Sequence, residues 1–416
     1  MTTGKDDLTK ATSLGYNLGY DTRNASATYH AAALGFSDSI RFEGKENVIN
    51  TYPTPHEPYG YHLNASEVPL ANGSRVNAFR AHRACLIGGP DSDLCQRDTY
   101  PADLYEDDWT AAQAVSLLER APHEKPWFLS VSFSGPHDPF AVTAQMAAAV
   151  TGRDWPAAVD SDNKTPLCEP AAGAPSHARV RCNYAAMMEN LDRLFGVVLD
   201  AAAARGNSVD RDTVVCFFSD HGEMLNDHNY TDKSQPWQGA IAVPLVCAGP
   251  GIRRNASVDV PMATVDIGAT MLDFAGAERD SGMTALSFRG LLEGADPQTR
   301  NRTVVLSGLQ SYDFGAPPDP NMDIYDKFGV LTYNFRLAVA EFDGTPYKFV
   351  CCKGRCPGAP SPVGKPDADG YTRLLYDTAA DPFDMHDVKA KLPHVAEKLR
   401  AALPVEHGFK CSRAAS

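Results

Sequence analysis

The sequence predicts an α/β protein, a mostly parallel sheet flanked by helices, with a small antiparallel-sheet subdomain at its C-terminal end. Three observations predict it. Short apolar runs alternate with helix-length amphipathic stretches between residues 109 and 276, the pattern of strands and crossover helices in a parallel sheet. Beyond residue 300 the helical stretches give way to short strand-like segments separated by turn residues. The length of 416 residues with 43% hydrophobic content is enough for a large core in one or two domains.

In chain order, residues 1–100 are polar, rich in Tyr, Asn and Pro, and weakly periodic. "WTAAQAVSLLERA" (109–121) has helical spacing, and "PWFLSVSF" (126–133) reads as a buried strand bounded by prolines. A Pro/Gly/Asp-rich loop follows over 153–178, then a long helix at 184–206 that stops at glycine. "TVVCFFS" (213–219) and "VPLVCAG" (243–249) read as strands of the same sheet, and "TVDIGATMLDFAG" (264–276) as a helix. "TVVLS", "FRLAVAEF" and "YKFVCC" read as an antiparallel sheet closed by a helix at 391–403. The expected division is therefore 1–300 and 301–416.

A net charge of −14 argues against nucleic acid as partner, since binding it needs a basic footprint. No run of 18 or more apolar residues occurs, so no membrane-spanning helix is expected. Seven of the 17 asparagines, Asn24, Asn64, Asn72, Asn163, Asn229, Asn255 and Asn301, begin an N-x-S/T triplet. This points to a glycoprotein of the secretory pathway. The start "MTTGKDDLTK" carries no apolar signal-peptide core, and an additional N-terminal segment in the native protein reconciles the two. Cys216 and Cys247 lie within apolar runs and read as core thiols. "CCKGRC" (351–356) is open to metal binding, disulfides or free thiols.

Chemistry is expected where parallel strands end and loops begin. His137 follows the strand at 126–133 between Pro136 and Pro139, and Asp220 and His221 follow the strand at 213–219. Each alone is ordinary loop chemistry. Together with Lys233, shortly before the strand at 243–249, they offer a hard oxygen and an imidazole for a divalent cation. Two further groups can carry positive charge or a proton. Such a set suits hydrolysis of an anionic ester, where charge develops on a departing oxygen.

Five segments in order, "FLSVSFSGPHDPF", "FFSDHGEMLNDH", "KSQPWQGAIAVPLV", "TVDIGATMLDFAG" and "RLLYDTAADPFDMHDV" (373–388), resemble the sulfatase family of the alkaline-phosphatase superfamily. The Asp-His-Gly form of the second segment resembles its iduronate-2-sulfatase type. The resemblance implies an alkaline-phosphatase-like fold and a small-molecule or glycan sulfate ester as substrate. It also implies a divalent metal, usually calcium, held in part by Asp220 and His221. Lys233 and His137 would contact the sulfate and the bridging oxygen, His137 also protonating the leaving alkoxide. "TGKDDL" resembles the family's Gly-Lys-x-His-Leu, making Lys5 a further sulfate-binding cation, although Asp7 stands where the family has histidine.

Two family features are missing from the 416 residues. One is Cys/Ser-x-Pro-x-Arg, whose first residue becomes the formylglycine nucleophile; the other is an apolar strand ending in paired aspartates. Asp6-Asp7 and Asp107-Asp108 follow polar residues and read as solvated surface. The chain is thus expected to be an N-terminally shortened sulfatase, inactive as it stands, with apolar strand edges exposed. A non-catalytic binder of sulfated glycans is the competing expectation. So is a phosphonate or phosphodiester hydrolase of the same superfamily, using Mn2+ or Zn2+, which suit histidine better than calcium does. Selectivity is expected from loops 45–105 and 310–325. The aromatic "NTYPTPHEPYGYHLN" (50–64) is equally suited to stacking on sugar rings and to packing a loop.

Overall fold

A computed structural model describes residues 1–5, 35–45, 48, 52–55, 57–70, 72–87, 101–161, 180–297, 302–309, 335–356, 365–404, 409 and 411. Asp6, Asp7 and loop 310–325 lie outside them. The chain divides into two compact units, Met1–Ala157 with Lys164–Ser208, and Ala158–Asn163 with Val209–Ser416. The expected boundary at 300 falls inside the second unit, just ahead of its antiparallel sheet.

The first unit is built on three parallel strands, β1 (Thr2–Lys5), β2 (Ser39–Phe42) and β5 (Ser130–Ser132), with β1 in the middle. Gly4 sits at φ +97° with Ser132 O 1.9 Å from where a Cβ would lie, so only glycine lets β1 approach β5 this closely. Between β2 and β5 come helix α1 (Pro58–Asn64), the hairpin of β3 (Glu67–Pro69) and β4 (Arg75–Asn77), and helices α2 (Ala78–Ile87) and α3 (Glu106–Arg120). Helices α4 (Ala144–Val150) and α5 (Val180–Ala204) complete the unit. Helix α3 starts three residues before the apolar pattern, because Glu106, Asp107 and Asp108 form its first turn, where carboxylates complement the helix dipole.

Among the described residues of the aromatic stretch at 50–64, Tyr59 and Leu63 belong to the core. Tyr59 is fully buried, edge-on to Phe42 at 4.9 Å and 5.3 Å from Trp109, and its hydroxyl donates to Leu104 O at 2.7 Å. Tyr61 alone of its tyrosines stands clearly exposed. The strand expected at 126–133 is shorter and only half-buried. Its flank carries Phe128 at 54% exposure, because β5 is an edge strand with β1 as its one partner among the described residues.

The second unit corrects one sequence expectation. Strands β6 (Val215–Phe218) and β7 (Leu245–Ala248) pair antiparallel in a sheet of their own. Cys216 stands directly opposite Cys247 in the register, and the two form a disulfide. They are therefore not core thiols: apolar neighbours in sequence concealed a cross-strand pairing that only the register creates. Val246 on β7 is 65% exposed and Phe218 on β6 46%.

Helix α6 (Gln238–Ile241) precedes β7, and α7 (Val265–Phe274) and α8 (Arg289–Glu293) follow it. The expected antiparallel sheet is present as β8 (Val305–Leu309), β9 (Phe335–Phe342), β10 (Thr345–Lys353) and β11 (Tyr371–Asp377), in spatial order β11-β10-β9-β8. One face buries Ala338, Phe349 and Leu375 beneath helix α9 (Pro393–Ala402) through Val395 and Leu399. "CCKGRC" resolves as disulfides, Cys351–Cys411 and Cys352–Cys356.

Candidate functional site

The residues singled out from sequence fall into two groups, one in each unit. In the first, Lys5 ends β1 opposite Phe42 of β2, at the carboxyl edge of the parallel sheet. Beyond β2 the chain turns at Gly44 (φ +88°), whose Cβ position lies 3.4 Å from Lys5 Cε. That turn delivers Lys45, a buried lysine the sequence reading did not name. Its Nζ lies 3.1 Å from Glu106 Oε1 and donates to His137 O at 3.0 Å. Asp107 accepts the backbone N–H groups of Ser134 (2.8 Å) and Gly135 (3.0 Å) on the same loop.

Asp107 and Asp108 are therefore not solvated surface. Asp107 is 1% exposed, and burial pushes its carboxyl up to about 7, against the pull of the Lys45 ammonium and with the Glu106 charge adding to the rise. Asp108 pairs with Arg193 and accepts from Asn190 Nδ2 at 3.0 Å. A polar stretch at a helix start looked solvated because the groups it meets come from distant parts of the chain.

His137 is thus held from behind through its own carbonyl and two preceding amides. Its ring Nδ1 lies 2.6 Å from Asp138 O and 2.8 Å from Asp138 Oδ1. Both are acceptors, so Nδ1 carries the proton, and proton exchange with a substrate falls to Nε2.

In the second unit, Asp220 and His221 follow β6. The His221 N–H donates to Asp220 Oδ1 at 2.9 Å, and His221 Nδ1 donates to Gly222 O at 2.8 Å. Asp220 Oδ2 and His221 Nε2 lie 3.6 Å apart. The Asp220 side chain is 70% exposed. One carboxylate oxygen and one imidazole nitrogen side by side fit two positions in the shell of a divalent cation. No third His, Cys, Asp or Glu joins them among the described residues.

Lys233 Nζ pairs with Asp232 Oδ1 at 2.9 Å. The segment that follows Asp220 and His221 and carries Lys233 is tightly wound: Leu225, Asn226, His228, Asn229, Asp232 and Ser234 all adopt positive φ, a costly backbone kept only where its surroundings fix it. Glu223 Oε1 accepts from Leu225 N and Asp232 N, and Gly222 N donates to Ala240 O at 2.8 Å. Gly222 has no room for a side chain, since Gly239 O lies 2.1 Å from its Cβ position. His228 is buried, with Nε2 2.9 Å from Phe383 O and its ring 5.4 Å from that of Trp237. It is a support of the loop.

A parallel sheet with helices, functional groups past the strand ends and a separate antiparallel sheet define the α/β fold shared by solved sulfatases and phosphonate monoester hydrolases. The chain is similar to a phosphonate monoester hydrolase of Agrobacterium radiobacter, with a TM-score of 0.53, 23% identity, and 73% of this chain and 60% of that one covered. It is also similar to a protein solved in complex with its substrate D-glucosamine-2-N,6-O-disulfate, with a TM-score of 0.55, 15% identity, and 71% and 68% covered. The family model that matches is Sulfatase, over residues 10–277; this chain belongs to the sulfatase family. The match includes His137, Asp220, His221 and Lys233 and begins after Lys5.

Among curated relatives, an arylsulfatase of Clostridium perfringens is 27% identical over 210 residues, 47% of this chain and 43% of the relative. A choline-sulfatase of Rhizobium meliloti is 29% identical over 229 residues, 49% and 42%. The chain thus spans less than half the length of these relatives.

Proposed function

We propose that this protein hydrolyses sulfate monoesters of a sugar or aryl alcohol with the help of a divalent metal. The observation that carries the reading is the side-by-side Asp220 oxygen and His221 nitrogen, in a segment matched by the sulfatase family model. In this reaction Lys5 and Lys233 neutralise sulfate oxygens, and His137 as the imidazolium gives its Nε2 proton to the departing alkoxide while its Nδ1–H stays on Asp138, leaving the neutral ring. Asp220 and His221 would hold a divalent cation, with calcium as the first choice, which when bound would supply positive charge for the ester oxygens. The 416 residues hold no Cys/Ser-x-Pro-x-Arg, so the covalent step is assigned to none of them.

A second reading, phosphonate monoester hydrolysis with Mn2+ or Zn2+, is favoured by the imidazole ligand and by phosphonate hydrolases among the structural neighbours. For localisation, the secretory pathway is supported by the sequons and by three described disulfides, which persist in oxidising compartments. Sequon residues Asn64, Asn72, Asn229 and Asn255 are exposed, as glycan attachment requires.

The test uses protein translated from the native transcript with its own 5′ end. Turnover of 4-nitrophenyl sulfate with a higher kcat/KM than an aryl phosphonate, abolished by chelation and restored by calcium, is the expected result. Preference for the phosphonate overturns the sulfatase reading in favour of the second one.

A further inference from the structure

The C-terminal segment "RLLYDTAADPFDMHDV" resembles a family feature, yet the reaction above assigns it no task. The structure places it behind the Asp220–Lys233 segment, within the same unit. Lys348 of β10 and Asp384 are each fully buried side chains, with Lys348 Nζ 2.6 Å from Asp384 Oδ2. The ammonium also donates to Pro236 O at 3.1 Å and Gln238 Oε1 at 3.3 Å. Asp384 Oδ2 accepts the Gln238 backbone N–H at 2.6 Å. The residue before it, Phe383, takes His228 through its carbonyl oxygen.

Lys233 therefore lies on a short span fastened at both ends, at His228 and at Pro236–Gln238. The fastening reaches the metal pair too. Gln238 opens helix α6, Ala240 of that helix accepts the Gly222 N–H, and Gly222 accepts His221 Nδ1. Met224, Trp237 and Ala240 pack on Leu337, Val350, Leu374 and Tyr376 of the antiparallel sheet, so the whole segment rests on that sheet.

We propose that Lys348 and Asp384 are positioning residues for the Asp220–Lys233 segment, fixing the metal pair and Lys233 from the antiparallel sheet through Pro236 and Gln238. The proposal deepens the sulfatase reading and rests on it for its catalytic consequence. A charge pair with no exposure that spends its hydrogen bonds on one loop fixes geometry more than it adds stability.

The test replaces the pair together, Lys348→Met with Asp384→Asn. No buried charge is left unpaired, asparagine tolerates the left-handed backbone at 384 (φ 58°), and the ammonium anchors to Pro236 O and Gln238 Oε1 are lost. Amide exchange over 219–224 and 236–241 is expected to speed up by about tenfold while β9 and β10 stay protected. In the native-transcript protein kcat for the sulfate ester is expected to fall by about tenfold with KM little changed, because the lost alignment matters most in the transition state. Unchanged exchange and unchanged kcat overturn the proposal. So does a fall in melting temperature without either change, which marks a purely structural pair. Wild-type exchange decides the case even without a folded variant: a Gln238 amide as slow as those of β10 supports the anchor, and one as fast as the exposed Asp220 loop removes it. A wild type that cleaves no sulfate ester defeats the sulfatase reading, while the exchange result stands separately.

Discussion

The ammonium of Lys45 donates a hydrogen bond to the main-chain oxygen of His137, across 3.0 Å and 92 positions of sequence. It also neutralises Glu106 and faces Asp107, both buried. One buried cation thus joins the end of β2, the start of α3 and the histidine loop.

Lys45→Met should be strongly destabilising, because it strands carboxylates without a counter-charge; removing one partner of a buried pair costs about 3–5 kcal/mol. Urea denaturation of the variant should show this loss. Where the variant still folds, kcat should fall as the His137 loop loosens, and kcat measured well below its melting temperature checks that.

The Asp107 carboxyl, pushed up to about 7 from an ordinary 3.8, gives stability a definite pH dependence. The folded protein keeps a proton that the unfolded chain has already released. The contribution is therefore complete below pH 3.8 and is lost as pH rises through 7. Asp107→Asn keeps an acceptor for Ser134 and Gly135 but cannot titrate. Relative to wild type it should gain up to about 2 kcal/mol between pH 5 and pH 7.5. Denaturation curves of both proteins at the two pH values check the sign; an equal pH response in the two rules out this assignment.

Asp220→Ala removes a 70% exposed group, so its stability should change by no more than about 0.5 kcal/mol, while His221→Ala also loses the bond to Gly222 O and should cost about 1 kcal/mol. Divalent-cation affinity should drop at least about tenfold, the range for losing a ligand or its support. Calorimetric titration with calcium and with manganese measures the loss and shows which ion the pair prefers.

Breaking the Cys216–Cys247 disulfide, which closes a sequence separation of 31, should cost about 3 kcal/mol by releasing the unfolded chain. The Cys216→Ala, Cys247→Ala double variant should also loosen the loop between β6 and β7 that carries Asp220 and Lys233. A lower melting temperature with weaker cation binding is the expected pair of results.

Features with a local cause were legible in the sequence. The helices at 109–121, 184–206, 264–276 and 391–403 were found within a few residues, since helical periodicity and terminal glycines are local signals. Asp220, His221, Lys233 and His137 stood out because polar groups past apolar strand runs have no folding reason to be there. Lys45 escaped notice because it sits among weakly periodic residues and has nothing unusual beside it in the chain. Asp107 looked solvated for the same reason.

The sequence by itself thus determined the α/β class and the antiparallel C-terminal sheet. Tertiary structure alone decided that β7 runs antiparallel to β6, that Cys216 meets Cys247, and that Lys45 and the Lys348–Asp384 pair are buried supports. The physical reason is range: helical period and strand-end polarity are written in neighbouring residues. A buried charge takes its meaning from partners 36 to 92 positions away, which only the folded chain brings within hydrogen-bond distance.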